Sequence, residues 1–396
     1  MRGSHVAIVA MLAFSLAFLV FSRGCLRQPA ATTPQAAAAQ TAPPSSAPAN
    51  PTPALRPPPL SAPPPVRQRP PAAAPGGLRF QLPTANDGIL AGRENRYYMF
   101  VDRTVNGQSV EVWQGGMYGF VRDPKTAPDG TVVFSRFHEG MDVAPVRRDS
   151  KGEPLDTVHA MADGLVVMTN VSAGKSNYGN YVIVRHATES GPFFSLYAHL
   201  ARVDAVPGQQ VACGGALGIM GHTGTGINRR RSHVHVELNL LISARHAQWN
   251  EATVTPSTAP NPTMNGLNLV GLDVAGWLLA VGRQPTLRLS DFIRESEPGY
   301  RVRLPNRGSE LEMVLRYPWL RLPGEAAASW EVTFAGSGVP LSVAPESERT
   351  ETPRLTWVKP FAGNHLWNTR EMLSGTGSSA QLTAHGTAYL KLITGE

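Results

Sequence analysis

Four short stretches carry the residue types that bind a metal or move a proton. They are His138-Glu139-Gly140-Met141-Asp142, Tyr197-Ala198-His199-Leu200, Gly221-His222-Thr223-Gly224-Thr225-Gly226 and His233-Val234-His235. Along a strand, side chains at i and i+2 share a face. His233 and His235 therefore project together, with Val234 and Val236 on the opposite, core face. A divalent cation organises two such imidazoles, and a catalytic zinc takes three protein ligands and keeps a fourth position open. His138, Asp142 and one histidine of the pair would supply two imidazoles and a carboxylate. The other histidine of the pair and His199 are then left for proton transfer. Each stretch alone has a bland explanation: a surface pair, a common spacing, a strand end. In this order, with a glycine-rich turn before the last of them, they point to one site.

Strands must position these groups. Tyr181–Arg185 and Ser232–Glu237 alternate or run apolar, with β-branched residues and flanking glycines. Gly-Asn, Asp-Gly and Gly-Gly pairs punctuate the chain from Asp163 to Gly226. Helical pattern is scarce before Asp273; Asp273–Leu279 and Ser290–Arg294 read as short helices, and Ser257–Asn265 as a loop. From Tyr300 onward, strand-like runs return at Arg301–Leu304, Leu311–Leu315, Trp330–Phe334, Leu355–Val358 and Ala388–Ile393. They suggest a separate C-terminal β domain whose role is stability or targeting.

At this level the chain resembles the lysostaphin/LytM zinc metallopeptidases. The resemblance covers about residues 115–242. Besides the four stretches it includes Ala162–Val166, Asn177–Val182, Val206–Gln209, Gly218–Gly221 and the His-Val-His-Val-Glu run ending at Glu237. It implies a mainly β, antiparallel catalytic domain with an open groove. It also implies zinc held by His138, Asp142 and His235, with His199 and His233 assisting catalysis, and a substrate in the peptide part of bacterial peptidoglycan. Members that have lost zinc ligands activate cell-wall amidases instead; here all five positions are filled. Two features depart from the family pattern. Ile227–Arg231 lengthens the loop before the histidine pair, and Gly119–Pro124 resembles a glycine-arginine segment upstream of the first ligand. Arg229, Arg230 and Arg231 are read as bordering the groove, either contacting substrate carboxylates or forming a solvated basic turn. Tyr118 is the nearest match to an upstream tyrosine that helps the reaction in some members.

The remaining histidines read as structural (His159, His186), as approaching the groove (His222), or as without a visible partner (His5, His246, His365, His385). Cys213 reads as a small buried residue. With only two cysteines, Cys25 and Cys213, no disulfide framework or zinc ribbon is available.

The formal charge of +7 over 396 residues belongs to the N-terminal part. Residues 1–86 hold seven arginines and no acidic residue, so residues 87–396 carry 29 basic and 29 acidic groups. A neutral folded part, with no basic face interleaved with aromatics, argues against nucleic acid. A basic tail is instead suited to anionic lipid. Val6–Phe21 is apolar apart from Ser15 and flanked by Arg2 and Arg23. Residues 1–25 are therefore a signal peptide or a retained membrane anchor, and Cys25 resembles a lipoprotein cysteine. All these readings place the protein in the bacterial envelope. Residues 26–77 form a Pro/Ala-rich linker; residues 28–77 hold 16 of the 35 prolines and too little apolar surface to fold. The domains expected are 78–285 for the metallopeptidase and 286–396 for the C-terminal β region.

Overall fold

The structure, a computed structural model, describes residues 78–105, 107–253, 263–264, 266–325 and 327–396. The signal or anchor segment, Cys25 and the linker lie outside the described residues. Among the described residues no helix is long and apolar enough to cross a membrane.

The strand Val234–Leu241 is the axis of the N-terminal half of the described fold. Val234, Val236, Leu238 and Leu240 alternate into the main hydrophobic cluster, while His235, Glu237 and Asn239 share the other face, as period-two geometry requires. That strand pairs along one edge with Gly191–Ala198. Along its other edge it pairs first with Met141–Val143 and then with Leu269–Gly271. The sheet continues outward through Tyr181–Thr188 and Gly164–Asn170 to Gln210–Val211, seven strands in all and every pairing antiparallel. A three-stranded sheet of Leu200–Val203, Ala216–Met220 and Thr157–His159 follows on from it, and a two-stranded ribbon, Gly119–Thr126 with Val132–His138, delivers the first histidine.

The C-terminal region builds a four-stranded antiparallel sheet in the order Pro340–Glu346, Ser329–Ala335, Pro298–Pro305, Arg354–Val358. The expected strands at Arg301–Leu304, Trp330–Phe334 and Leu355–Val358 all lie in it. Two others are helices. Leu311–Leu315 lies at the helix Glu312–Arg316, where Glu312 pairs with Arg316 one turn on at 2.6 Å and Leu311, Val314 and Tyr317 are buried at helical spacing. Ala388–Ile393 lies in the helix Ala384–Thr394, capped by Thr383, whose hydroxyl accepts from the Gly386 amide. Short apolar runs do not distinguish the two periods. The expected helices are present as Val274–Arg283, with Asp273 as its N-cap, and Leu289–Arg294.

The described residues belong to one compact unit, and a single hydrophobic cluster runs from the seven-stranded sheet into the C-terminal sheet. Tyr317 shows how they join. Its hydroxyl donates to the Pro192 carbonyl at 2.8 Å and accepts from the Leu241 amide at 2.9 Å, while Trp319 donates to the Ser190 carbonyl at 2.7 Å.

Candidate metal centre

Strand register assembles the site. His235 lies opposite Asp142 on one neighbouring strand and opposite Ala198 on the other, which leaves His199 just past the strand end. His138 ends its own strand, paired with Gly119. Gly140 lets the turn between His138 and Asp142 close: a Cβ there would lie 2.2 Å from the Val236 carbonyl oxygen. His199 adopts φ of 63°, a left-handed conformation that few non-glycine residues take.

His138, Asp142 and His235 are all buried and present converging donor atoms. His138 Nε2 lies 3.1 Å from Asp142 Oδ1 and 3.1 Å from His235 Nδ1, and His235 Nδ1 lies 2.9 Å from Asp142 Oδ1. The opposite ring nitrogens explain why these atoms face inward. A carbonyl can only accept, so the nitrogen bonded to it carries the proton and the other nitrogen is bare in the neutral ring. His138 Nδ1 donates to the Met117 carbonyl at 2.7 Å, His199 Nδ1 to Thr223 at 2.8 Å, and His233 Nδ1 to Arg231 at 2.6 Å. His235 is turned round. Its Nε2 bonds Glu237 Oε1 at 2.9 Å, which presents Nδ1 to the site.

Glu237 is held in turn by the Tyr178 hydroxyl at 2.5 Å and the Asn239 amide at 2.9 Å. Arg122 bonds the far oxygen of Asp142 at 2.8 Å and the Gly115 carbonyl at 2.8 Å. Outer partners of this kind fix ligand orientation. Glu237 and Tyr178 had no role in the sequence reading. Glu237 was within reach, standing two residues past His235 on the same face; Tyr178 carries no spacing signal. The glycine-arginine segment meets the site through Arg122.

The electrostatics match a cation site. Burial disfavours charge on His138 and holds it below its ordinary value, against the pull of Asp142. Burial, with His233 and His235 beside it, pushes His199 down to about 3. Burial alone would raise Asp142, but the surrounding histidines hold its carboxyl well below the usual range. Burial also opposes charge on His235, yet its bonds to Asp142 and Glu237 outweigh this and push it up to about 10. A proton on His235 thus supplies the positive charge between two buried carboxylates. His233 Nε2 is buried without a hydrogen bond, 3.4 Å from Asp142 Oδ1. Two imidazoles, a carboxylate and an orphaned nitrogen beside them fit a zinc ion.

His199 and His233 stand beside the three donors, their ring centroids 4.9 Å apart, and His199 is 5.9 Å from His235. The five residues singled out in the sequence are therefore together. Tyr118 is not among them: its hydroxyl donates to the Gly271 carbonyl at 2.9 Å. The arginine loop has an internal occupation. Arg229 pairs with Glu153 at 2.6 Å, and Arg230 engages both oxygens of Asp102, at 2.6 and 2.7 Å, as well as Glu111. The hairpin Val101–Val105/Gln108–Val112 supplies the last two carboxylates, and Arg229 and Arg230 remain exposed, as in the solvated basic turn of the sequence reading. Arg231 Nε bonds the Phe100 carbonyl at 3.3 Å. His222 pairs with Glu153 at 3.0 Å. His159 and His186 bond the carbonyls of Gly214 and Asp163 at 2.9 and 2.8 Å, as structural residues do. Cys213 is only partly buried, its thiol donating to the Met161 carbonyl at 3.4 Å.

Residues 136–249 match the family model of peptidase family M23. No curated protein matches the chain. Among solved structures, the chain is similar to a mutant catalytic domain of the prophage-encoded M23 protein EnpA from Enterococcus faecalis. The identity is 23% and the TM-score 0.23, covering 35% of this chain and 79% of that one. It is similar to the catalytic domain of lysostaphin from Staphylococcus simulans at 20% identity and TM-score 0.23, covering 37% and 84%. It is also similar to a zinc-containing peptidase from Vibrio cholerae at 22% identity and TM-score 0.20, covering 34% of this chain and 41% of that one.

Proposed function

We propose that this chain, which carries a peptidase family M23 segment, is an exported zinc endopeptidase that hydrolyses peptide bonds of bacterial peptidoglycan. The observation that carries the proposal is the buried convergence of His138, Asp142 and His235, each oriented by a second partner. These three would hold zinc. A bound zinc would supply Lewis acidity, acidifying a water and polarising the scissile carbonyl.

The chain's own residues do the rest. His199 and His233 each tie Nδ1 to a backbone carbonyl, which leaves Nε2 as the nitrogen able to take a proton. One accepts the proton of the attacking water; the protonated ring can then donate to the oxyanion or to the leaving amine. Arg122 balances the charge of Asp142, and Glu237 keeps Nδ1 of His235 turned inward. The N-terminal segment would tether the protein to a membrane of the envelope, at the reach of its proline-rich linker.

The test is purified wall treated with zinc-loaded and with chelator-stripped protein. The proposal expects soluble peptides from the first alone, restored by added zinc. No release by the zinc-loaded chain, with faster hydrolysis by an added amidase, would identify a non-catalytic activator instead.

A further inference from the structure

A cavity of about 460 Å³ lies beside the metal centre. Part of its wall belongs to the centre's surroundings: Glu139, which follows His138, and Tyr178, whose ring centroid is 5.6 Å from that of His235. Another part comes from the C-terminal region through Arg370, Glu371 and His385.

The charges of this wall do not cancel. Arg370 Nη2 pairs with Glu139 Oε1 at 3.1 Å, and its guanidinium lies 4.9 Å over the Phe137 ring. Arg136 faces Asp123 at 3.7 Å. Burial and the Arg370 charge hold His385 below its ordinary value, so it adds no charge at neutral pH. That leaves Glu371, exposed and without an ion-pair partner among the described residues. Arg370 also has capacity to spare. A guanidinium offers five donors; beyond Glu139, one reaches the Ser337 carbonyl at 3.4 Å. Arg370 and Glu371 have φ of 50° and 62°, so two successive non-glycine residues are held left-handed where both line the cavity. Such conformations persist only where surrounding structure enforces them, and they gather at ligand sites.

We propose that this cavity is a specificity subsite for the peptide substrate, taking a residue that carries both an ammonium and a carboxylate, with Glu371 receiving the ammonium and Arg370 the carboxylate. The proposal rests on the peptidase reading of the neighbouring centre. A ligand with only a carboxylate would meet surplus negative charge. A ligand with only an ammonium would leave without an acceptor those donors of Arg370 that Glu139 and the Ser337 carbonyl do not take. The C-terminal region thereby acquires a part in choosing substrate.

Three soluble peptides test this: one with the zwitterionic residue beside the scissile bond, one with its carboxylate amidated, one with its amine acetylated. Calorimetric titration uses the full zinc-loaded chain carrying His199→Ala, which slows turnover. The zwitterion is expected to bind at least about tenfold more tightly than either blocked peptide. Adding Glu371→Gln should remove the penalty for acetylation alone, and adding Arg370→Gln the penalty for amidation alone. Equal binding of all three peptides to the chain with Glu371 and Arg370 intact overturns the subsite, whatever the variants do. Zinc content checks that the Arg370→Gln chain is folded, and Arg370→Lys should restore part of the preference. Cleavage by the wild-type chain then separates the two readings. Discrimination in binding with no peptide cut sinks the peptidase assignment and supports the subsite. Equal kcat/KM on all three peptides does the reverse.

Discussion

His235 sits between the Asp142 and Glu237 carboxylates, and its folded-state pKa of about 10 means that the metal-free ring is protonated at neutral pH. Zinc must displace that proton from Nδ1. Below about pH 10 the apparent zinc affinity should therefore rise as pH rises, by about tenfold per unit where one proton is released. Zinc competition titrations between pH 6 and pH 8 check the sign; affinity flat across that range would remove the proton from the account. The five residues should also divide into two groups. His138→Ala, Asp142→Ala and His235→Ala are expected to lose metal and hydrolysis together. His199→Ala and His233→Ala should keep metal and lose about 10²- to 10⁴-fold in rate. Elemental analysis beside wall turbidity separates the groups. These residues were legible because ligand types are few and their order along the chain is distinctive. The ion pairs of the arginine loop were not legible, because its partners, Asp102, Glu111 and Glu153, lie far away in sequence.

At the scale of elements, the site depends on how closely the His138–Asp142 turn approaches the central strand. Gly140→Ala would place a Cβ 2.2 Å from the Val236 carbonyl oxygen, which is backbone and cannot swing aside. Pushing Met141–Val143 away would separate Asp142 from His235. We expect a stability loss of about 1–3 kcal/mol and weaker zinc binding. Thermal unfolding and zinc titration measure both, and an unchanged pair of values would mean that the turn has slack. The strands around the site were legible from alternation and β-branched runs. The helices at Glu312–Arg316 and Ala384–Thr394 were not, because five or six apolar-rich residues satisfy either period and only tertiary burial decides between them.

For the whole molecule, the N-terminal segment and the C-terminal sheet should behave differently on removal. A chain beginning at Leu78 should cut soluble wall fragments as fast as the full chain, since residues 26–77 offer no catalytic group. Removing residues 286–396 takes away Tyr317 and Trp319, which bond the backbone of the seven-stranded sheet and its flanking turn at 2.7–2.9 Å, and opens a shared hydrophobic cluster. That truncation should abolish cooperative unfolding; a sharp transition near the full-length melting temperature would show that the seven-stranded sheet stands alone. The central claim concerns the bond that is broken. Mass spectrometry of purified wall digested with the zinc-loaded chain should find fragments with a new free amine and a new free carboxylate, one water heavier per cut. The same digest with His235→Ala should show none. Fragments from the His235→Ala digest identical to those of wild type, or none from either, would contradict the account.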